Sequence, residues 1–281
     1  MAQLLANGLT LEVERYRQAD RAGQHPVILL IRGLGSQLID WPAALIAGLC
    51  EAGFEVVVFD NRDAGLSQKM AGAPDYGLAD MAKDALGVLD ALEISRAHVL
   101  GLSMGGMILQ QMLIAAPERI LSATIVMSSS LAEGLSEPDS ETEVLLLAPP
   151  PEGRDAAIEQ ALRAETHWSN PAYPLEDVVR RGLIARAYDR CHDPQGVARQ
   201  YGAIAASRGW ADRLAEVAVA TLVVHGDCDP LLPADHGRDI AKRIPGAAHF
   251  EIAGMGHDLH GGVTAVILDR LIPFLLRQTP S

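Results

Sequence analysis

The chain has 281 residues, 49% of them hydrophobic, and a formal net charge of −13 at pH 7. That length suits one domain carrying an insertion, or two small domains, and the acidity disfavours a nucleic-acid partner because like charge repels a phosphate backbone. No apolar run nears the roughly 18 residues a membrane helix needs, so no membrane partner is expected. The three cysteines, Cys50, Cys191 and Cys228, are odd in number and lack metal-ligand spacing. They read as free thiols of a reduced compartment.

The amino terminus, MAQLLANGLTLEVERYR, has no basic leader followed by an apolar stretch and cleavage site, which points to a cytoplasmic protein. Within it, LTLEVERYR alternates as a strand does. PVILLI (26–31) and EVVVFD (55–60) are short apolar runs of the kind buried on both faces in a parallel sheet. Between them WPAALIAGLCEAG (41–53) has helical spacing and a terminal glycine. LADMAKDALGVLDALEI (78–94) repeats the helical pattern, RAHVLGL is the next strand, MGGMILQQMLIAA a helix ended by Pro117, and LSATIVMSS a strand. From about Leu131 to Val217 prolines and charges multiply around helical pieces. VATLVVHGD then resumes as a strand, HGRDIAKRIPG as a helix, HFEIAG as a last strand and VTAVILDRLIPFLLRQ as a closing helix. The alternation predicts an α/β fold with a mostly parallel central sheet flanked by helices. Residues 1–130 and 218–281 form its core, and residues 131–217 a helical cap.

Gly101-Leu102-Ser103-Met104-Gly105 is a G-x-S-x-G sequence between a predicted strand and a predicted helix. That context marks a nucleophile elbow. A serine on so sharp a turn takes strained backbone angles, and flanking glycines remove collisions with the strand and helix. The plain alternative is a glycine-rich turn with an N-capping serine. A serine nucleophile needs a base, and the base an orienting acid. After the insertion, Asp229 lies just past a strand in LVVHGDCDPLLP, and His257 follows a strand in EIAGMGHDLH. Asp227 is the competing acid, with a turn-shaping role as its simpler reading. His260 is expected in the following helix and His225 as a packed core histidine. A metal site from His225, Asp227, His257 and His260 lacks support from any H-E-x-x-H or cysteine pair. Oxyanion donors are expected from the backbone N–H of Met104 and from Leu34, in the glycine-rich RGLGSQ loop after PVILLI.

GLSMGG, GDCDP and GMGHDL in this order resemble the α/β-hydrolase superfamily across essentially the whole chain. FDNRDAGLS is similar to that superfamily's D-x-R-G-x-G-x-S loop, with Asp63 where glycine is usual. The resemblance makes Asp60 and Arg62 structural. WP soon after the oxyanion loop, RAHVLGLSMG, DPLLPADHG and IPGAAHFEIAGMGHDL resemble bacterial esterases of the aclacinomycin methylesterase type, which remove a methyl ester from an aromatic polyketide. Arg32-Gly33 replaces the frequent His-Gly, and Leu34 stands where that type has glycine. The expected activity is serine-esterase cleavage of small to medium apolar carboxylic esters or methyl esters through an acyl-enzyme. No metal or organic cofactor is needed. Trp41, Trp168 and Tyr173 are candidate substrate contacts, with Tyr188 and Trp210 as further aromatic residues of the lid. The expected partner is a small-molecule ester, with a homodimer also open. The same triad supports perhydrolysis, lactone opening or C–C hydrolysis, and a non-catalytic receptor can share the fold.

Overall fold

Alternation decides which side of each strand faces which helices. The computed structural model describes residues 2–18, 25–72 and 75–279. Its strands are β1 (Ala2–Ala6), β2 (Leu9–Tyr16), β3 (Val27–Ile31), β4 (Glu55–Phe59), β5 (Ala97–Leu102), β6 (Ile120–Val126), β7 (Thr221–Gly226) and β8 (Ala248–Ile252). They pair in the order β1-β2-β4-β3-β5-β6-β7-β8. β2 runs antiparallel to β1 and β4, and every other pair is parallel. Leu29 and Ile31 of β3 join Val57 and Phe59 of β4 on one face; Ile28, Leu30, Val56 and Val58 join the other. Because side chains project with a period of two, a fully apolar strand feeds two cores at once.

The helices divide accordingly. α2 (Leu78–Ala91), α3 (Met104–Ala115) and α8 (Asp235–Arg243) cover the first face, while α1 (Ala43–Glu51) and α9 (Val263–Gln278) cover the second. From β3 the chain passes through α1 to β4 on one side; from β5 it passes through α3 to β6 on the other. The connections therefore diverge between β3 and β5, the crevice in which open α/β sheets bind ligands.

Four helices lie between β6 and β7: α4 (Ser140–Leu146), α5 (Arg154–His167), α6 (Asp177–Arg190) and α7 (Pro194–Ala206). The last part of the expected cap behaves differently. Trp210, Leu214 and Val217 are buried in the same cluster as α3 and α8, and the Trp210 indole donates to Gln110 Oε1 at 3.1 Å. This turn is packed as part of the body. Three other features depart from the sequence expectations. β1 is a strand that the sequence pattern does not announce. His260 precedes α9 instead of lying in it. Trp41 packs in the α1/α9 core at 3% exposure.

His98, the second residue of β5, is wholly buried edge-on to Phe54, with Ser122 Oγ 2.7 Å from Nδ1. Burial pushes its pKa down to about 4. The unfolded chain takes up this proton near pH 6.5 and the folded chain only near 4, so stability falls as the pH drops through that window. Complete descent costs about 3 kcal/mol from this group. Urea unfolding at pH 7 and pH 4.5 is expected to show a smaller acid loss in His98→Gln than in wild type. Equal losses would remove His98 from the account.

Candidate active site

The serine turn is built as the local sterics require. Ser103 directly follows β5 with φ +53° and ψ −120°, and α3 begins at the next residue. Non-glycine residues rarely hold a positive φ unless the surroundings impose it. Here Ser103 N–H donates to Val126 O at 3.0 Å, and its carbonyl accepts from Gly106 N–H at 2.8 Å and Ser128 Oγ at 2.8 Å. A Cβ on Gly101 would lie 2.2 Å from Gly105 O, and one on Gly105 would lie 2.0 Å from Ile31 O. Both positions exclude any larger residue without backbone displacement.

Three strand ends converge on this turn. His257 Nε2 lies 3.0 Å from Ser103 Oγ, and His257 Nδ1 lies 2.6 Å from Asp229 Oδ2. A carboxylate only accepts, so Nδ1 carries the proton and Nε2 accepts from the serine hydroxyl. The other Asp229 oxygen, Oδ1, accepts from the N–H groups of Leu231 and Leu232, each at 2.9 Å. Asp227, the competing acid, instead accepts from Gly254 N–H at 2.6 Å. His225 is fully buried in β7, its pKa lowered by burial, and Nε2–H donates to Leu232 O at 2.8 Å. Among the described residues no group of three His, Cys, Asp or Glu side chains is arranged to hold a metal, so the four alternative ligands do not converge.

Leu34 and Met104 flank the hydroxyl from two elements. A Cβ on Gly33 would approach Ser103 Cβ to 3.1 Å, so the loop after β3 runs directly against the serine. Among the described residues neither Leu34 N–H nor Met104 N–H has a hydrogen-bond partner. Met104 opens α3, whose first N–H groups have no intrahelical acceptor and face the favourable end of the helix dipole for an anion.

Above these groups is a cavity of about 700 Å³ that Ser103, His257, Leu34 and Trp168 line. Tyr188 also lines it, whereas Trp41, Tyr173 and Trp210 do not. Trp41 is excluded because its ring lies in the core, covered by the Arg32 guanidinium 4.9 Å from its centroid. Tyr173 packs partly buried against that same cluster.

A family description, alpha/beta hydrolase fold, matches residues 26–261. The chain belongs to the α/β-hydrolase family. Rhodomycin D methylesterase DauP of Streptomyces sp. (strain C5) is 31% identical over 256 residues, spanning 83% of this chain and 85% of that protein. A hydrolase from Pseudomonas aeruginosa PA01 superposes with a TM-score of 0.76 at 26% identity, covering 98% of this chain and 97% of that one. The enol-lactonase from Burkholderia xenovorans LB400 superposes with a TM-score of 0.80 at 24% identity, covering 98% and 100%. The hydrolase fold that the motifs implied is thereby borne out.

In this α/β hydrolase the cap also holds the site's loops. Asn170, 1% exposed, accepts from Gly256 N–H at 2.9 Å and donates to His260 O at 3.1 Å. Trp168 O accepts from His257 N–H at 2.7 Å. Gln200 of α7 accepts from Gly35 N–H at 2.8 Å and donates to Arg62 O at 2.7 Å. Asp60 accepts from Leu38 and Leu66 N–H groups and pairs with Arg190 of α6 at 2.8 Å. Arg62 pairs with Asp84 of α2 through two bonds, 2.5 and 2.7 Å. Asp63 holds the left-handed conformation, φ +66°, usual for glycine. Its carboxylate takes Arg199 of α7 at 2.8 Å and the Tyr76 hydroxyl at 2.7 Å. Asn170 and Gln200 carry no motif, and only their distant partners reveal them.

Proposed function

We propose that the protein hydrolyses carboxylic esters, with Ser103 as nucleophile, His257 as general base and acid, and Asp229 as the group orienting the imidazole. Ser103 Oγ attacks the ester carbonyl as His257 Nε2 takes its proton. Leu34 and Met104 N–H groups meet the oxygen as it becomes negative. His257 then delivers the proton to the departing alcohol. Water, deprotonated by the same Nε2, releases the acid from the acyl-enzyme. The observation that carries this reading is the 3.0 Å approach of His257 Nε2 to a hydroxyl on a positive-φ turn between β5 and α3.

Small to medium apolar esters, methyl esters among them, are the proposed substrates. The apolar residues Leu34, Leu102, Leu145 and Ile184, which line the cavity together with Ser103, support an apolar acyl group. The relation to a rhodomycin D methylesterase supports a methyl ester. A fluorophosphonate probe is expected to label the native protein on Ser103, found by peptide mass analysis. Alongside it, p-nitrophenyl esters of increasing chain length and methyl esters of aromatic acids would map the pocket. A folded protein that neither takes the probe nor cleaves any ester would overturn the reading in favour of a non-catalytic binding protein.

A further inference from the structure

Among the described residues, buried or nearly buried guanidinium groups have carboxylate partners, with one exception. Arg62 pairs with Asp84, Arg180 with Asp258 at 2.9 Å, Arg190 with Asp60 and Arg199 with Asp63. Arg32, which directly follows β3, has no ion-pair partner among the described residues. Its sole hydrogen bond is a long one, 3.4 Å, from Nη2 to Ser36 Oγ. Its Nε is buried and unpartnered. A desolvated charge without a partner is strongly unfavourable, so such a group is normally neutralised or awaits a counter-ion.

The setting of Arg32 indicates which of these applies. It lines the same cavity as Ser103 and His257. Its side chain is stacked on Trp41, which fixes the guanidinium plane before anything binds. Three acidic residues, Asp40, Glu165 and Asp258, also face the cavity and act on Arg32 without pairing with it. Asp258 is held by Arg180 and by His260 at 2.9 Å. Asp40 accepts from Gln37 N–H at 2.7 Å. Glu165 lies 3.8 Å from the Arg180 guanidinium. A planar, fixed cation therefore remains unfilled beside the nucleophile.

We infer that Arg32 is a specificity-determining residue that binds an ionised carboxylate carried by the substrate, making an ester with a second, free carboxylate the preferred class. The inference rests on the Ser103 acyl-transfer reading. The apolar cavity wall takes the chain of such a molecule, and Arg32 takes its charged end through a charge-assisted, two-pronged contact.

The test compares monomethyl glutarate with dimethyl glutarate at pH 7.5. Wild type is expected to favour the half-ester in kcat/KM by about ten- to hundredfold after the statistical factor of two, the range of a charge-assisted hydrogen bond. Arg32→Gln should bring that ratio near one, chiefly by raising KM for the half-ester, and Arg32→Lys should restore part of it. The ratio is insensitive to any general loss of activity in the variants. Calorimetry on folded Ser103→Ala gives a second readout: monomethyl glutarate should bind more tightly than the dimethyl ester. If wild type cleaves both esters with no preference and Ser103→Ala binds both alike, the inference fails while the esterase reading stands. A ratio unchanged in Arg32→Gln would also overturn it. If wild type cleaves neither ester nor any p-nitrophenyl ester, the esterase reading fails and the inference falls with it.

Discussion

Ser103→Ala is expected to lower kcat for a p-nitrophenyl ester by about 10⁶-fold, the cost of removing the nucleophile from a cooperating triad. The structure explains why no neighbour can take over. Among the described residues Ser103 alone combines the positive-φ turn, the 3.0 Å contact with His257 Nε2 and a place between two unpaired backbone N–H groups. Ser128 donates to Ser103 O and is fully buried, so it cannot reach a carbonyl in the cavity. The double variant Ser103→Ala/His257→Ala should be no worse than either single change, because the base has nothing to activate once the hydroxyl is gone. Stopped-time hydrolysis assays with circular dichroism as a folding control would check both. Activity above a hundredth of wild type in Ser103→Ala would rule out this nucleophile.

Asp229→Asn carries the second largest expected effect, a fall in kcat of about 10⁴-fold with the fold preserved. Asp229 Oδ1 faces two backbone donors, the N–H groups of Leu231 and Leu232. An amide there must keep its oxygen on those donors and turn its NH₂ toward His257. The imidazole then accepts at Nδ1 and carries its proton on Nε2, the tautomer that cannot take a proton from Ser103. Asp227→Asn should leave kcat within about tenfold, because Asp227 bonds to Gly254 N–H and the Cys228 side chain at the turn and not to His257. Parallel kinetics on the two variants decide the assignment. A severe loss in Asp227→Asn with a mild one in Asp229→Asn would reverse the roles.

Strands buried on both faces were legible from their apolar runs, and β2 from its alternation. β3, β4 and β7 are β-branched, apolar runs because each strand face meets a helix layer. β1 was not legible: AQLLA lies at the sheet edge, mostly exposed and paired to one neighbour, so no alternation is imposed on it. The extent of the cap was also obscure. Proline and charge mark residues 131–217 as different, yet Trp210 and Leu214 enter the body's core by a packing preference that is not local. The aromatic candidates divide for the same reason. Trp168 faces the cavity and Trp41 faces the core, and a tryptophan's hydrophobicity is equally satisfied by either. Asn170 reaches Gly256 across 86 positions and Gln200 reaches Gly35 across 165, so no motif spacing could announce them.

By itself the sequence determined the sheet, the sharp serine turn and the order in which serine, acid and histidine leave their strands. Each of these follows from forces acting within a few residues: side-chain alternation, steric relief by glycine and strand termination. Only the tertiary structure decided that Asp229 and not Asp227 meets His257, which imidazole nitrogen holds the proton, and that Arg32 is left unpaired at the cavity. These depend on where separate strand ends and cap helices come to rest against one another. A charge or a hydrogen bond is set by that distance in space, on which separation along the chain has no bearing.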